Sequence, residues 1–247
     1  PIGKVRTESF DRGHAKPSCA FLVDLCSRLY SAQKNGELCD LVLACNGQTI
    51  PVHKPIVCLQ SPVIKAACTG PFVEASGTYE IKDCSFEAVQ RMVEYLYTGD
   101  YQSKAADQGQ TEEANEPVVH VTMFGLADMY LIDGLLTLAE TKFRAAVKAE
   151  GIASVLLLHV RRVYDLQCDS SKVLREIMVE ELRERITNIN EFYQKMLQDL
   201  FAEIPEFAKD IATSFIQRPL TGRCPKCGRN SDRASLDIRN SPKPLRR

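Results

Sequence analysis

No stretch of this sequence stays apolar long enough to cross a bilayer. Runs such as Val155–Leu158 fall far short of the roughly 20 residues that a spanning helix needs. The first twenty residues lack the apolar core of a secretory signal, so the protein is expected in the nucleus or cytoplasm rather than outside the cell. Neither a Walker-type phosphate loop nor a Gly-x-Gly-x-x-Gly turn is present. His14, His53, His120 and His159 share no ligand spacing, and no cysteine has a readable activating partner. An enzyme is therefore not expected, nor a cofactor, nor a small-molecule substrate. One-sided charge is also missing: 31 basic side chains face 32 acidic ones, for a net charge of -1. That balance offers no whole-protein field to recruit nucleic acid or an anionic membrane.

What is present is enough apolar material, 45% of 247 residues, for an ordinary core. That length suits one large domain or two small ones. The ten cysteines are scattered through periodic segments. Without an export signal, they read as reduced, buried thiols rather than a disulfide framework.

The stretch from Cys39 to Tyr101 organises the chain. Asp40 to Cys45 alternates apolar residues and runs into Asn46-Gly47, a turn pair suited to positive φ at both positions, so a hairpin returning through Gln48 to Val52 is predicted. Pro51 has no N–H to donate and argues for an edge strand or an early strand end. His53-Lys54-Pro55 opens a helix, with proline where a first-turn N–H would be unpaired anyway. Ser61-Pro62 repeats that device for a second short helix through Cys68. Gly77 to Asp83 reads as a strand. Ser85 can cap a helix in which Val89, Met92, Val93, Leu96 and Tyr97 form one apolar face, ended by Gly99.

This order of elements resembles the BTB/POZ family. The residues that carry the resemblance are Cys39-Asp40-Leu41-Val42-Leu43, His53-Lys54, Ser61, and Val93-Glu94-Tyr95-Leu96-Tyr97-Thr98-Gly99. No one of these motifs is specific; the ordered set at the family's spacing is. The resemblance implies an α+β fold, a short three-stranded sheet capped by helices, followed here by an all-α extension. The sequence departs from the family between Gln102 and Glu116, where the next helix usually follows within a few residues. That segment has no large apolar residue and an acidic bias, and is expected to be an exposed insert.

The expected organisation is a mobile arm over residues 1–18, a BTB/POZ domain over 19–149 with its insert at 102–116, a helical extension over 150–217, and a basic, disordered tail over 218–247. In the domain, Val118–Leu131 and Asp133–Lys148 read as helices. In the extension, 152–165, 170–187, 190–203 and 205–217 do, with stripes at Leu174, Met178, Leu182 and Ile186 and at Tyr193, Leu197, Leu200 and Ile204. Glu181 and Arg185 are spaced as a favourable i,i+4 ion pair on the polar side. No strand is expected in this half. The tail carries nine basic residues against Asp232 and Asp237. It reads as a solvated linker first and a nuclear-import segment second. It has no interleaved aromatics on which bases could stack.

Four sets of candidate site residues follow. Phe21, Leu22, Leu25 and Leu29 recur at helical spacing ahead of Asn35-Gly36. The resemblance places such a helix in a homodimer interface; the plainer alternative is a helix lying on its own domain. Asp40 and Lys54 match positions that, in the transcription-factor branch of the family, line a charged pocket at the dimer; the alternative is a local ion pair. Phe72-Val73-Glu74 stands where cullin-binding members place an apolar residue, any residue and a glutamate; the alternative is that Phe72 caps the local core. Cys224 and Cys227, in Cys-Pro-Lys-Cys-Gly, have the spacing of half a zinc ribbon, but no Cys or His follows them to complete four ligands. They read as a solvent-facing thiol pair, or as half of a site shared across a dimer. His53 reads as a structural core residue, as the family has it.

The function implied is a non-catalytic interaction module that self-associates and recruits partners, in its sharpest form a substrate adaptor for a cullin-type ubiquitin ligase. A transcriptional or chromatin scaffold is the second reading. A zinc-dependent nucleic-acid binder using Cys224, Cys227 and the basic tail is the third.

Overall fold

The computed structural model describes residues 19–69, 77–103, 116–186, 191–218, 222–223 and 230–231. The expected arm and residues 104–115 of the expected insert lie outside the described residues. The chain separates into two compact units, one of residues 1–60 and 64–101 and the other of residues 61–63 and 102–247.

The first unit runs α1 (Cys19–Lys34), β1 (Leu41–Cys45), β2 (Gln48–Val52), α2 (Lys54–Gln60), α3 (Pro62–Thr69, its first two residues grouped with the second unit), β3 (Thr78–Glu80) and α4 (Phe86–Thr98). The sheet order is β2-β1-β3, with β1 antiparallel to β2 and parallel to β3. Asn46 and Gly47 make the hairpin turn at φ 50° and 77°. The register sets Leu41 opposite Val52 and Leu43 opposite Ile50, and all four side chains are buried. Because side chains alternate across a strand, that register buries one face of the hairpin. Pro51 lies on an edge strand, as its missing N–H requires, and its carbonyl accepts the Gln33 side-chain amide at 2.8 Å.

α4 supplies the core face. The Ser85 hydroxyl accepts from the Ala88 N–H at its start, and Gly99 closes its end at φ 77° with its N–H on the Tyr95 carbonyl. Between these caps Ala88, Val89, Met92, Val93, Leu96 and Tyr97 are buried. β3 is shorter than the predicted Gly77–Asp83: only three residues pair with β1, and Asp83 takes a left-handed turn at φ 61°.

The second unit is built from α5 (Glu116–Met129), α6 (Asp133–Ala149), α7 (Ala153–Tyr164), a 3-10 turn (Asp169–Ser171), α8 (Lys172–Arg185), α9 (Glu191–Glu203) and α10 (Pro205–Gln217). α5 starts at Glu116, which was expected at the end of the insert. Leu135, Ala139, Phe143 and Val147 of α6, spaced by four, are fully buried, and α6 packs against α5 and α8. Leu174, Met178 and Leu182 of α8 are fully buried. In the other predicted stripe only Leu200 is buried; Tyr193, Leu197 and Ile204 are half-exposed. The α5–α6 corner is a Schellman-type turn: Leu131 N–H reaches the Asp128 carbonyl and Ile132 N–H the Ala127 carbonyl, with Leu131 at φ 53°.

Strand does occur in this half, contrary to expectation. β4 (Gly222–Arg223) and β5 (Asn230–Ser231) pair antiparallel, Gly222 with Ser231 and Arg223 with Asn230. Two-residue strands are too short to leave an alternating pattern that could be read beforehand.

Replacing Gly99, which ends α4 at φ 77°, with alanine places a Cβ on a left-handed residue. The expected cost is about 1–2 kcal/mol, read as a lower Tm. Gly151→Ala, at a site with open space and no positive φ, should leave Tm nearly unchanged.

Candidate interaction surfaces

The hairpin-to-helix junction of the first unit gathers three of the residues singled out from sequence, and their roles differ from one another. The exposed Asp40 carboxylate accepts the Lys54 backbone N–H at 2.6 Å, capping α2 from 14 positions earlier in the chain. The Lys54 ammonium turns instead to the Cys68 carbonyl at 2.8 Å, near the C-terminus of α3. The two side chains thus serve opposite helix ends, an anion at an N-terminus and a cation at a C-terminus, the arrangement that helix dipoles favour. No salt bridge joins them. Each is held by backbone.

His53 lies between them, half-buried. Its Nε2 is 2.9 Å from the Glu37 carbonyl oxygen, an atom that only accepts, so Nε2 carries the proton. In the neutral ring Nδ1 then accepts from the Tyr97 hydroxyl at 2.7 Å, while that hydroxyl accepts the His53 backbone N–H at 2.8 Å. Burial pushes the Tyr97 hydroxyl up to about 12, against the lowering by the His53 backbone hydrogen bond. It therefore stays a donor at neutral pH. This imidazole has both nitrogens committed to structure.

α1 divides its side chains. Tyr30 lies against Tyr97 with ring centroids 6.1 Å apart, Gln33 reaches Pro51, and the helix packs on α4 and β2. Leu29 is half-buried. Phe21, Leu22 and Leu25 are 58%, 48% and 42% exposed, with Val23 beside them. The C-terminal part of the helix covers its own unit, and the N-terminal part presents apolar surface.

Phe72, Val73, Glu74, Cys224 and Cys227 lie outside the described residues. Among the described residues no group of three His, Cys, Asp or Glu side chains is arranged to hold a metal ion, and no helix is long and apolar enough to cross a membrane.

The second unit contains polar contacts beyond the one pair that the sequence pattern marked. Glu181 and Arg185 do pair, at 2.7 Å, but only about a fifth of either side chain is exposed. Arg185 also donates to the Val147 and Glu150 carbonyls, capping the end of α6. The Tyr164 hydroxyl donates to Asp210 at 2.9 Å, joining α7 to α10, and the Arg175 guanidinium lies 4.9 Å over the Tyr164 ring. Arg161 and Glu203 form a bidentate pair between α7 and α9. The Arg185–carbonyl, Tyr164–Asp210 and Arg161–Glu203 contacts each join residues more than 30 positions apart, beyond the reach of helical periodicity. His159 is buried in α7, and burial pushes its pKa below the ordinary 6.5.

A family model described as the BTB/POZ domain matches residues 29–146. Over 76 residues the chain is 34% identical to zinc finger and BTB domain-containing protein 7A of Gallus gallus, covering 30% of this chain and 14% of that protein. Over 173 residues it is 24% identical to Kelch-like protein 38 of Rattus norvegicus, covering 66% of this chain and 29% of that protein. Among solved structures, the BTB domain of zebrafish PATZ1 is similar at 14% identity and a TM-score of 0.40, covering 50% of this chain and 91% of that one. The chain thus spans less than a third of either curated relative.

Removing the hydroxyl in Tyr97→Phe leaves the His53 backbone N–H and Nδ1 without their partner. A loss of about 1–3 kcal/mol is expected in chemical denaturation, with the fold retained. A second expectation concerns acid. His159 is held neutral in the folded chain, so the unfolded chain takes up its proton first as pH falls. Stability attributable to this group is complete above the ordinary value of 6.5 and is lost as pH falls from there through the depressed folded pKa. Denaturation midpoints measured from pH 7.5 downward should decline below about 6.5, and less steeply in His159→Gln.

Proposed function

The chain carries a BTB/POZ domain over residues 29–146, and from that premise we propose that it is a non-catalytic protein–protein interaction module that self-associates and recruits partners. The observation that carries the self-association is the N-terminal half of α1, where Phe21, Leu22 and Leu25 leave large apolar surface in water. Covering such a patch with a second copy removes that surface at roughly 25 cal/mol per Å². The absence of a readable nucleophile and the full structural engagement of His53 support a binding role over a catalytic one.

In its sharper form the proposal is a cullin-binding substrate adaptor in the nucleus or cytoplasm. Its support is the sequence Phe72-Val73-Glu74 between α3 and β3, at the place where the family's cullin-binding members carry their apolar-x-Glu motif, together with the helices that follow the domain. A transcriptional scaffold is the second reading. What favours it is the exposed Asp40 carboxylate beside Lys54, although each of these side chains already holds a helix end.

Light scattering at micromolar concentration should give twice the chain mass, and Leu25→Arg should give the chain mass with an unchanged circular dichroism spectrum. A wild-type monomer overturns the self-association. Titration calorimetry against a cullin N-terminal domain should show binding that Phe72→Ala weakens by about 2 kcal/mol or more. No wild-type binding at tens of micromolar would remove the adaptor reading and leave the scaffold.

A further inference from the structure

Two cysteines of the first unit meet where β1 ends and α4 begins. The Cys45 thiol, buried at the last position of β1, donates to the Cys84 carbonyl at 3.4 Å. The Asn46 side-chain amide donates to the same oxygen at 2.9 Å. One position back on β1, the Ala44 carbonyl accepts the Ile81 N–H at 2.8 Å. The end of β1 and the turn after β3 are thus held together by backbone and side chain alike. A carbonyl oxygen lies roughly 3 Å from the Cβ of its own residue, so the Cys45 sulfur stands beside the Cys84 side chain. Cys84 is half-buried, one residue ahead of the Ser85 cap of α4.

We propose that Cys84 and Cys45 form a thiol–disulfide exchange site, closed by a low-molecular-weight disulfide of the glutathione class into a bond that ties the end of β1 to the start of α4. None of the residues assigned above to self-association or recruitment takes part. Cys84, the more exposed of the two, loses its proton to water and attacks one sulfur of the small disulfide. That S–S bond breaks, one small thiolate leaves, and a mixed disulfide forms on Cys84. Cys45 then gives up its proton, and its thiolate attacks the Cys84 sulfur and expels the second small thiolate. Two protein thiols are oxidised by two electrons, one small disulfide is reduced to two thiols, and the two protons end on those thiols. In a reducing compartment the pair rests as two thiols, the state in which both stand here.

The surroundings of the pair set its rate. Burial, then the Cys45 thiol and Asp83, push the Cys84 thiol up, and burial, then Glu87, pushes Cys45 up. The adjacent cation, Lys82, is paired with Glu80 at 3.6 Å. Little of either thiol is therefore ionised at neutral pH, and exchange quickens as pH climbs toward the raised values. The closed bond joins positions 39 residues apart and removes freedom from the unfolded chain. α1 packs on α4, so the bond stiffens the support beneath that helix.

The test uses the full chain, reduced, freed of reductant and incubated with oxidised glutathione. Remaining thiols are alkylated, and cross-linked peptides are located by tandem mass spectrometry. In the folded chain the first disulfide to appear should join Cys45 to Cys84, about tenfold faster for each unit of pH gained across the neutral range. The oxidised chain should melt higher by roughly 5 °C or more, and dithiothreitol should reverse the shift. Cys45→Ala, checked for fold by circular dichroism, should stop at glutathione held on Cys84. Cys84→Ser, at a half-buried position, should leave Cys45 unmodified and lose the melting shift. A disulfide that first pairs either residue with another cysteine overturns the proposal. So does glutathione held on wild-type Cys84 with no cross-link, or a cross-link that forms only in urea. A Cys45–Cys84 bond that leaves Tm unmoved overturns the tie between β1 and α4.

Discussion

The hydroxyl of Tyr97 ties together three parts of the first unit that are remote in sequence. It meets His53 twice, at the backbone N–H and at Nδ1, and through the imidazole it reaches the carbonyl of Glu37. One phenol therefore connects α4, the start of α2 and the turn after α1. The cost of burying the hydroxyl and the ring nitrogens is met only if all three bonds form, because an unpaired buried polar group is penalised by more than a paired one gains. Asp40 and Lys54 extend this arrangement to the ends of α2 and α3. The hairpin, α2, α3 and α4 are thereby fixed as a platform. In sequence, the exposed part of α1 precedes that platform, and the segment carrying Phe72 falls within it, between α3 and β3.

That arrangement decides how the charged residues of the junction are to be understood. Lone charges at such positions would invite a pocket that awaits a ligand. Here each charge already serves a helix terminus, so a partner drawn to Asp40 would have to share a carboxylate that holds the Lys54 amide. Recognition by apolar surface, as along the N-terminal half of α1, disturbs no such bond. The balance between an interaction driven by area and one driven by charge thus favours area.

Much of this was readable in the sequence because the signals are local. Asn46-Gly47 marked the hairpin, Ser85 and Gly99 bounded α4 within a residue, and Pro205 and Gln217 bounded α10 as expected. Local signals also misled at their limits. The run after Gly77 looked like a seven-residue strand, but Asp83 turns left-handed and only Thr78–Glu80 find a partner on β1. What could not be read was long-range. Nothing near His53 announces Tyr97, 44 positions on. Arg185 looked like half of a surface ion pair and in fact caps the carbonyl end of α6, 35 positions before it. The β4–β5 ladder was too short for any periodicity to reveal. Asp40 and Lys54 were found as a pair, but their partners turned out to be backbone.

Pro51 has one more consequence. A strand at the rim of a sheet ordinarily exposes alternating donors and acceptors, a template on which another chain can extend the sheet. At Pro51 the nitrogen bears no hydrogen and the carbonyl is already taken by the Gln33 amide. At that point on the rim of β2, then, the template is blank in both senses. A stray strand approaching there would bury its own polar groups against nothing, which opposes templated aggregation. A partner arriving at this edge has to be recognised by its side chains, because the backbone of β2 has nothing to offer it at that position.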